Sequence, residues 1–194
     1  MKNKITNNKQ RTNNKKIILL ILILTTVGFA ARLLPHPANF APIGALALFG
    51  GLYLPRRWAL ILPLGVMFLS DLFIGFYAWQ IMLSVYICFA LVVGIGLLVR
   101  KNKKFRTVLG GTALGSVLFF LITNAAVWAF GTMYVHNLSG LIQSYAMALP
   151  FFRNSLLGDL FYTGVLIGTV EAIFYYQKYL LTNKSLWQKN SIDQ

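Results

Sequence analysis

Acidic residues are nearly missing from this chain. It carries 4 Asp and Glu against 18 Lys and Arg in 194 residues, and only 11% of its residues are charged. A soluble domain is nearer a quarter charged, so a free globular domain is excluded. Cysteine is almost absent too. The one copy, Cys88, sits inside an apolar run and carries no signal of a disulfide or a metal site. The two histidines, His36 and His136, lie on separate polar stretches with no HExxH pattern, so no metal site is expected. No GxxxxGKS/T loop is present, and the chain by itself should not hydrolyse ATP. No GxSxG elbow appears either. Nothing in the spacing of Asp71 and Asp159 marks a catalytic pair, and no enzyme activity or cofactor is expected. Period-2 alternation is missing, which argues against a β-barrel.

What is abundant is apolar sequence, 57% of the chain. It falls into runs at 17–34, 40–54, 58–76, 79–99, 107–130 and 156–177. Several approach the ~20 residues needed to cross a bilayer as a helix. The expected fold class is therefore all-α: a polytopic membrane protein of six transmembrane helices. The net charge of +14 could suggest nucleic acid. The basic residues instead form short clusters between apolar runs, as cytoplasmic loops do, and no nucleic acid partner is expected. With the N-terminus inside, sixteen of the eighteen Lys and Arg residues fall on the cytoplasmic side; the exceptions are Arg32 and Arg153. The expected organisation is a disordered basic tail at 1–16, a six-helix domain at 17–180 and a tail at 181–194. Both termini are cytoplasmic, in a multi-pass protein of the bacterial inner membrane. A cleaved signal peptide is the competing reading of 17–34.

The chain must break at Arg32-Leu33-Leu34-Pro35-His36-Pro37-Ala38-Asn39-Phe40-Ala41-Pro42, where three prolines cannot continue a helix. An ionisable side chain inside a span costs roughly 2.5–3.5 kcal/mol, so each one is a candidate for function. Asp71 lies about 7 Å from the outer end of its helix at 1.5 Å per residue, and Asp159 is similarly placed. Arg32, His36, Asn39, Asn124, Trp128, Arg153 and Asn154 fall on the same side. Together with the two aspartates they are the expected ligand-binding residues, around a polar cavity open to the outside. The bland reading is two internal ion pairs, Arg32–Asp71 and Arg153–Asp159, with Asn124 as a helix–helix hydrogen bond and Trp128 as an interfacial anchor. Glu171 lies toward the inner end, within reach of the cytoplasmic surface or of Arg56 and Arg57.

The stretch 131–155 is the longest outer connection. Leu138, Leu141, Ile142, Tyr145 and Leu149 recur near helical spacing, which predicts a short amphipathic surface helix, read as a lid. Pro150 should end it. Asn154 or Ser155 would then cap a separate last helix, leaving Arg153 unfavourably close to a helix N-terminus. Within the second span Ala41, Ala45, Ala47 and Gly51 form small-xxx-small pairs suited to close helix contact.

Three strings are specific: Pro35-His36-Pro37-Ala38-Asn39-Phe40-Ala41-Pro42-Ile43-Gly44-Ala45-Leu46-Ala47-Leu48-Phe49-Gly50-Gly51; Leu69-Ser70-Asp71-Leu72-Phe73-Ile74-Gly75-Phe76; and Leu149-Pro150-Phe151-Phe152-Arg153-Asn154-Ser155-Leu156-Leu157-Gly158-Asp159-Leu160-Phe161-Tyr162-Thr163. They resemble an uncharacterised bacterial six-helix membrane family. More loosely, the pattern resembles the substrate-binding S components of energy-coupling factor transporters: size, six helices, and a small-residue span ending Gly50-Gly51-Leu52-Tyr53-Leu54-Pro55. That resemblance implies a micronutrient binder with an outer pocket. It also implies a transmembrane coupling subunit and cytoplasmic ATPases as partners. The Met-His start of cobalt and nickel members is absent, which points away from those metals.

The expected function is thus a substrate-binding membrane subunit for uptake of a small polar or zwitterionic nutrient. Arg32 and Arg153 would meet anionic groups, the aspartates would orient them or bind a cationic group, and Trp128 would stack. The alternative is a non-catalytic envelope scaffold of the cell-shape type, which predicts stable protein partners and no ligand.

Overall fold

A computed structural model describes the backbone of residues 2–35 and 37–190 and the side chains of 18–35, 37–176 and 179. The described residues form helices and the short connections between them, with no strand among them. Its elements are α1 (Lys2–Leu33), α2 (Ile43–Tyr53), α3 (Arg56–Ile74), α4 (Trp79–Val99), α5 (Phe105–Phe130) and α6 (Leu138–Asn190). Four of them, α3, α4, α5 and the Leu138–Tyr176 part of α6, are long and apolar enough to cross a membrane. The apolar pieces Ile18–Leu33 and Ile43–Tyr53 are shorter. The basic-tail expectation for residues 1–16 falls on side chains outside the described ones. The backbone there belongs to α1 from Lys2 onward.

The short helix α2 is the centre of the molecule. Its sequence is apolar on every side, the mark of a helix enclosed by others, and all its residues but Gly44 and Tyr53 are buried. Its 11 residues extend about 16 Å, half the thickness of a bilayer core. Helices α1, α3, α4, α5 and α6 all pack on it. Gly51 of α2 and Gly96 of α4 bring two backbones into contact. A Cβ on Gly51 would lie 2.7 Å from the Gly96 Cα, and one on Gly96 would lie 2.9 Å from the Gly51 Cα. Any larger residue at either position drives the helices apart.

Arg100 closes the far end of α2. Its Nε donates to the Gly51 carbonyl at 2.8 Å and its Nη2 donates to the Leu54 carbonyl. A cation on the last carbonyls of a helix satisfies groups that lack intrahelical partners and complements the helix dipole. Arg100 belongs to a basic cluster between apolar runs and is at the same time a structural cap.

The last helix departs most from expectation. No surface helix is set apart by Pro150: α6 runs unbroken for 53 residues with Pro150 inside it. Proline removes one hydrogen bond and crowds the preceding turn, at about 3 kcal/mol in an ordinary helix interior. Here the turns on either side of Pro150 are held by one neighbour. Phe120 of α5 packs on Tyr145 at 5.5 Å and on Phe152 at 4.8 Å, and the Tyr145 hydroxyl donates to the Leu121 carbonyl at 2.8 Å. The true cap is Asn137, whose Oδ1 accepts from the Gly140 N–H at 2.8 Å. Asn154 and Ser155 are interior helix residues, so Arg153 faces no helix N-terminus. Pro63 likewise lies within α3 without ending it.

The helices alternate in direction, so the connections 34–42, 75–78 and 131–137 share one end, here the Asn39 end. The connections 54–55 and 100–104 share the other, the Arg100 end. The proline-rich loop at 34–42 is strapped to α6. Asn154 Nδ2 donates to the Ala38 carbonyl at 3.0 Å, and Phe40 packs on Phe161 and Tyr162.

Candidate functional site

Two aspartates stand on opposite walls near the Asn39 end. On the first wall Arg32, in the last turn of α1, reaches across to α3. Its Nη1 lies 2.9 Å from Asp71 Oδ1 and donates to Ser70 Oγ at 2.5 Å and to the Met67 carbonyl at 3.3 Å. Asp71 Oδ2 accepts from the Tyr86 hydroxyl of α4 at 2.8 Å. Asp71 is 1% exposed and Arg32 16%. This is the one ion pair among the described residues, and it ties α1, α3 and α4 together.

On the second wall Asp159 projects from α6. Its Oδ2 accepts from Ser116 Oγ of α5 at 2.7 Å, and the backbone N–H of Ala45 in the first turn of α2 also approaches it. Pro42 precedes that turn and makes no side-chain cap. Asp159 therefore serves the open N-terminus of α2 from a neighbouring helix. Gly44 is what admits it: a Cβ there would run into the carboxylate.

Between the walls lies a cavity of about 220 Å³. Arg32 and Asp159 both line it, with Asn39 at its exposed rim and Ser155 buried beside it. Phe89 of α4 and Phe119 of α5, with ring centroids 5.4 Å apart, form an aromatic flank. Tyr77 of the α3–α4 loop completes the lining. Partial burial and then the nearby Asp71 charge raise the Tyr77 pKa, while Arg32 offsets part of the rise, so its hydroxyl stays a neutral donor.

Of the expected site residues, the structure brings Arg32, Asn39 and Asp159 to one cavity, with Asp71 directly behind Arg32. His36 lies outside the described residues. The others do not line the cavity. Asn124 donates to the Phe120 carbonyl of its own helix at 2.8 Å. Trp128 Nε1 donates to the Val135 carbonyl at 3.1 Å and its ring lies edge-on to His136, so it anchors the 131–137 loop. Asn154 is engaged with Ala38. Arg153 is exposed and forms no ion pair with Asp159. Sequence reasoning missed Tyr77, Tyr86, Phe89, Ser116 and Phe119. Ser116 and Tyr86 carried a signal, since each is a polar atom in an apolar run that requires a partner.

At the Arg100 end, Glu171 accepts from the Tyr53 hydroxyl at 2.6 Å, and Lys103 Nζ sits 4.0 Å from the centroid of the Tyr53 ring. Glu171 thus pairs with neither Arg56 nor Arg57. A second, mostly apolar cavity of about 250 Å³ adjoins these groups.

The sequence profile of the Family of unknown function (DUF6580) matches residues 10–186. The chain belongs to this family. The match takes in the aspartate walls, the central helix and both cavities. No curated protein and no solved structure matches the chain.

Proposed function

We propose that this chain is a substrate-binding membrane subunit, similar to the S components of energy-coupling factor transporters, that takes up a small polar nutrient. The observation that carries the reading is the cavity shared by Arg32 and Asp159. Charged groups inside a membrane protein are costly unless paired or functional, and a scaffold has no need of a carboxylate lining a cavity. The 220 Å³ volume is below the ~300–1,000 Å³ of clefts for drug-sized ligands, which suits a small molecule.

In this reading all six helices cross the membrane, with both termini cytoplasmic and the Asn39 end outside. The clustering of basic residues supports that orientation. Arg56, Arg57, Arg100, Lys101, Lys103, Lys104 and Arg106 all stand at the Arg100 end. The short α2 crosses only with its flanking residues, inside a jacket of longer helices. The cavity then opens to the outer face of the inner membrane. Release to the inside falls to partners: a transmembrane coupling subunit and cytoplasmic ATPases.

Affinity purification from native membranes in mild detergent tests the reading. Recovery of an ATPase pair with a second membrane subunit supports uptake. Recovery of cell-wall synthesis proteins without ATPases contradicts it and favours the scaffold.

A further inference from the structure

The cavity at the Asn39 end is short of one positive charge, and we propose that its ligand supplies that charge as a small organic cation, a protonated or quaternary amine. This rests on the reading of the cavity as a ligand site. Among the described residues, the ionisable groups in the lining are Arg32, Tyr77 and Asp159. Arg32 is already answered within the protein, 2.9 Å from Asp71. Tyr77 is neutral. Among the described residues Asp159 has only uncharged donors, the Ser116 hydroxyl and the Ala45 N–H. The N-terminus of α2 adds about half a charge at most.

Arg153 does not fill the gap. It lies six residues before Asp159 on the same helix, which at about 100° per residue places it roughly 240° around the axis, and it is exposed. Among the described residues the structure thus pairs Asp71 with a cation and gives Asp159 none. A charge withdrawn from water is costly without an opposite partner. An anionic ligand would add to that cost, a neutral one would meet it only through a proton on Asp159, and a cation answers it directly.

The walls fit the same class. Phe89, Phe119 and Tyr77 flank the carboxylate's cavity, and aromatic faces within about 6 Å attract ammonium groups. A bare metal ion is the poorer match, since the described residues contain no group of three ligating side chains.

The test uses the purified full chain and compounds of like size and different charge: ethanolamine and choline as cations, tert-butanol as a neutral compound, and acetate and lactate as anions. Thermal melting and titration calorimetry are read for each. At least one amine is expected to raise the melting temperature and to bind at least tenfold more tightly than the neutral and anionic compounds. Asp159→Asn should weaken that amine at least tenfold while melting cooperatively. Should that variant fail to fold, the wild-type comparison decides alone. An anion or neutral compound that binds as tightly as the amines overturns the cation assignment and leaves the ligand-site reading standing. A panel without any binding removes both.

Discussion

Asp71 and Asp159 lie in the same molecule, near the same end, the first behind the Arg32 that lines one cavity and the second in that cavity's lining, yet their surroundings differ. Asp71 is 1% exposed and takes a guanidinium and a phenol. Asp159 is partly open to the cavity and takes a serine hydroxyl and a backbone N–H. The first acid is completed by its own protein, through an ion pair that binds three helices together. The second is completed only in part. The difference separates two settings that sequence alone cannot tell apart: an acid in an ion pair that holds the bundle, and an acid that meets uncharged donors beside a cavity.

Substitutions that break the contrast should show it in order of size. Asp71→Ala leaves the largely enclosed Arg32 guanidinium with neutral acceptors alone, Ser70 Oγ and the Met67 carbonyl, and loss of one partner of a buried pair costs about 3–5 kcal/mol. We expect that variant to lose its cooperative melt in detergent. Arg100→Ala uncovers the Gly51 and Leu54 carbonyls at the end of the central helix. Leaving buried acceptors unsatisfied costs about 1–3 kcal/mol, a clear drop in melting temperature with no change in which ligand is bound. Tyr86→Phe removes one hydrogen bond to Asp71 while Arg32 stays, at about 1.5 kcal/mol for a bond to a charged group. Asn124→Ala removes a side chain bonded to its own helix. It should change stability by about 1 kcal/mol or less and leave ligand affinity as it was.

Depth along a helix was legible in the sequence for Asp71 and not for Asp159, which was expected a few residues from the outer end of a separate last helix and lies 21 residues into α6, because that helix starts at Leu138; direction around the helix was legible for neither. Arg32, Asn39 and Asp159 were expected at one level and do meet there. Asn124 and Trp128 lie 8 and 12 residues beyond Ser116, the α5 partner of Asp159, or about 12 and 18 Å nearer the Asn39 end at 1.5 Å per residue, and none of Asn124, Trp128 and Arg153 lines the cavity. Depth follows from counting residues at a fixed rise. Direction depends on which neighbour packs on which face, and apolar helices such as α2 carry no polar stripe to reveal it. The same gap explains α6. Pro150 reads as a break from local rules, while the aromatic contacts of Phe120 that span it come from another helix. Helices α3, α4 and α5 were placed within about two residues of their observed ends, because long uniform apolar runs leave little choice.

The most direct measurement is mass spectrometry of small molecules released from the purified protein, run in parallel on wild type and Asp159→Asn. The account predicts one compound near equal stoichiometry with the wild-type chain, carrying a positive charge, and strongly depleted from the variant. A compound kept in equal amount by both proteins, or a wild-type chain that releases nothing, would contradict it.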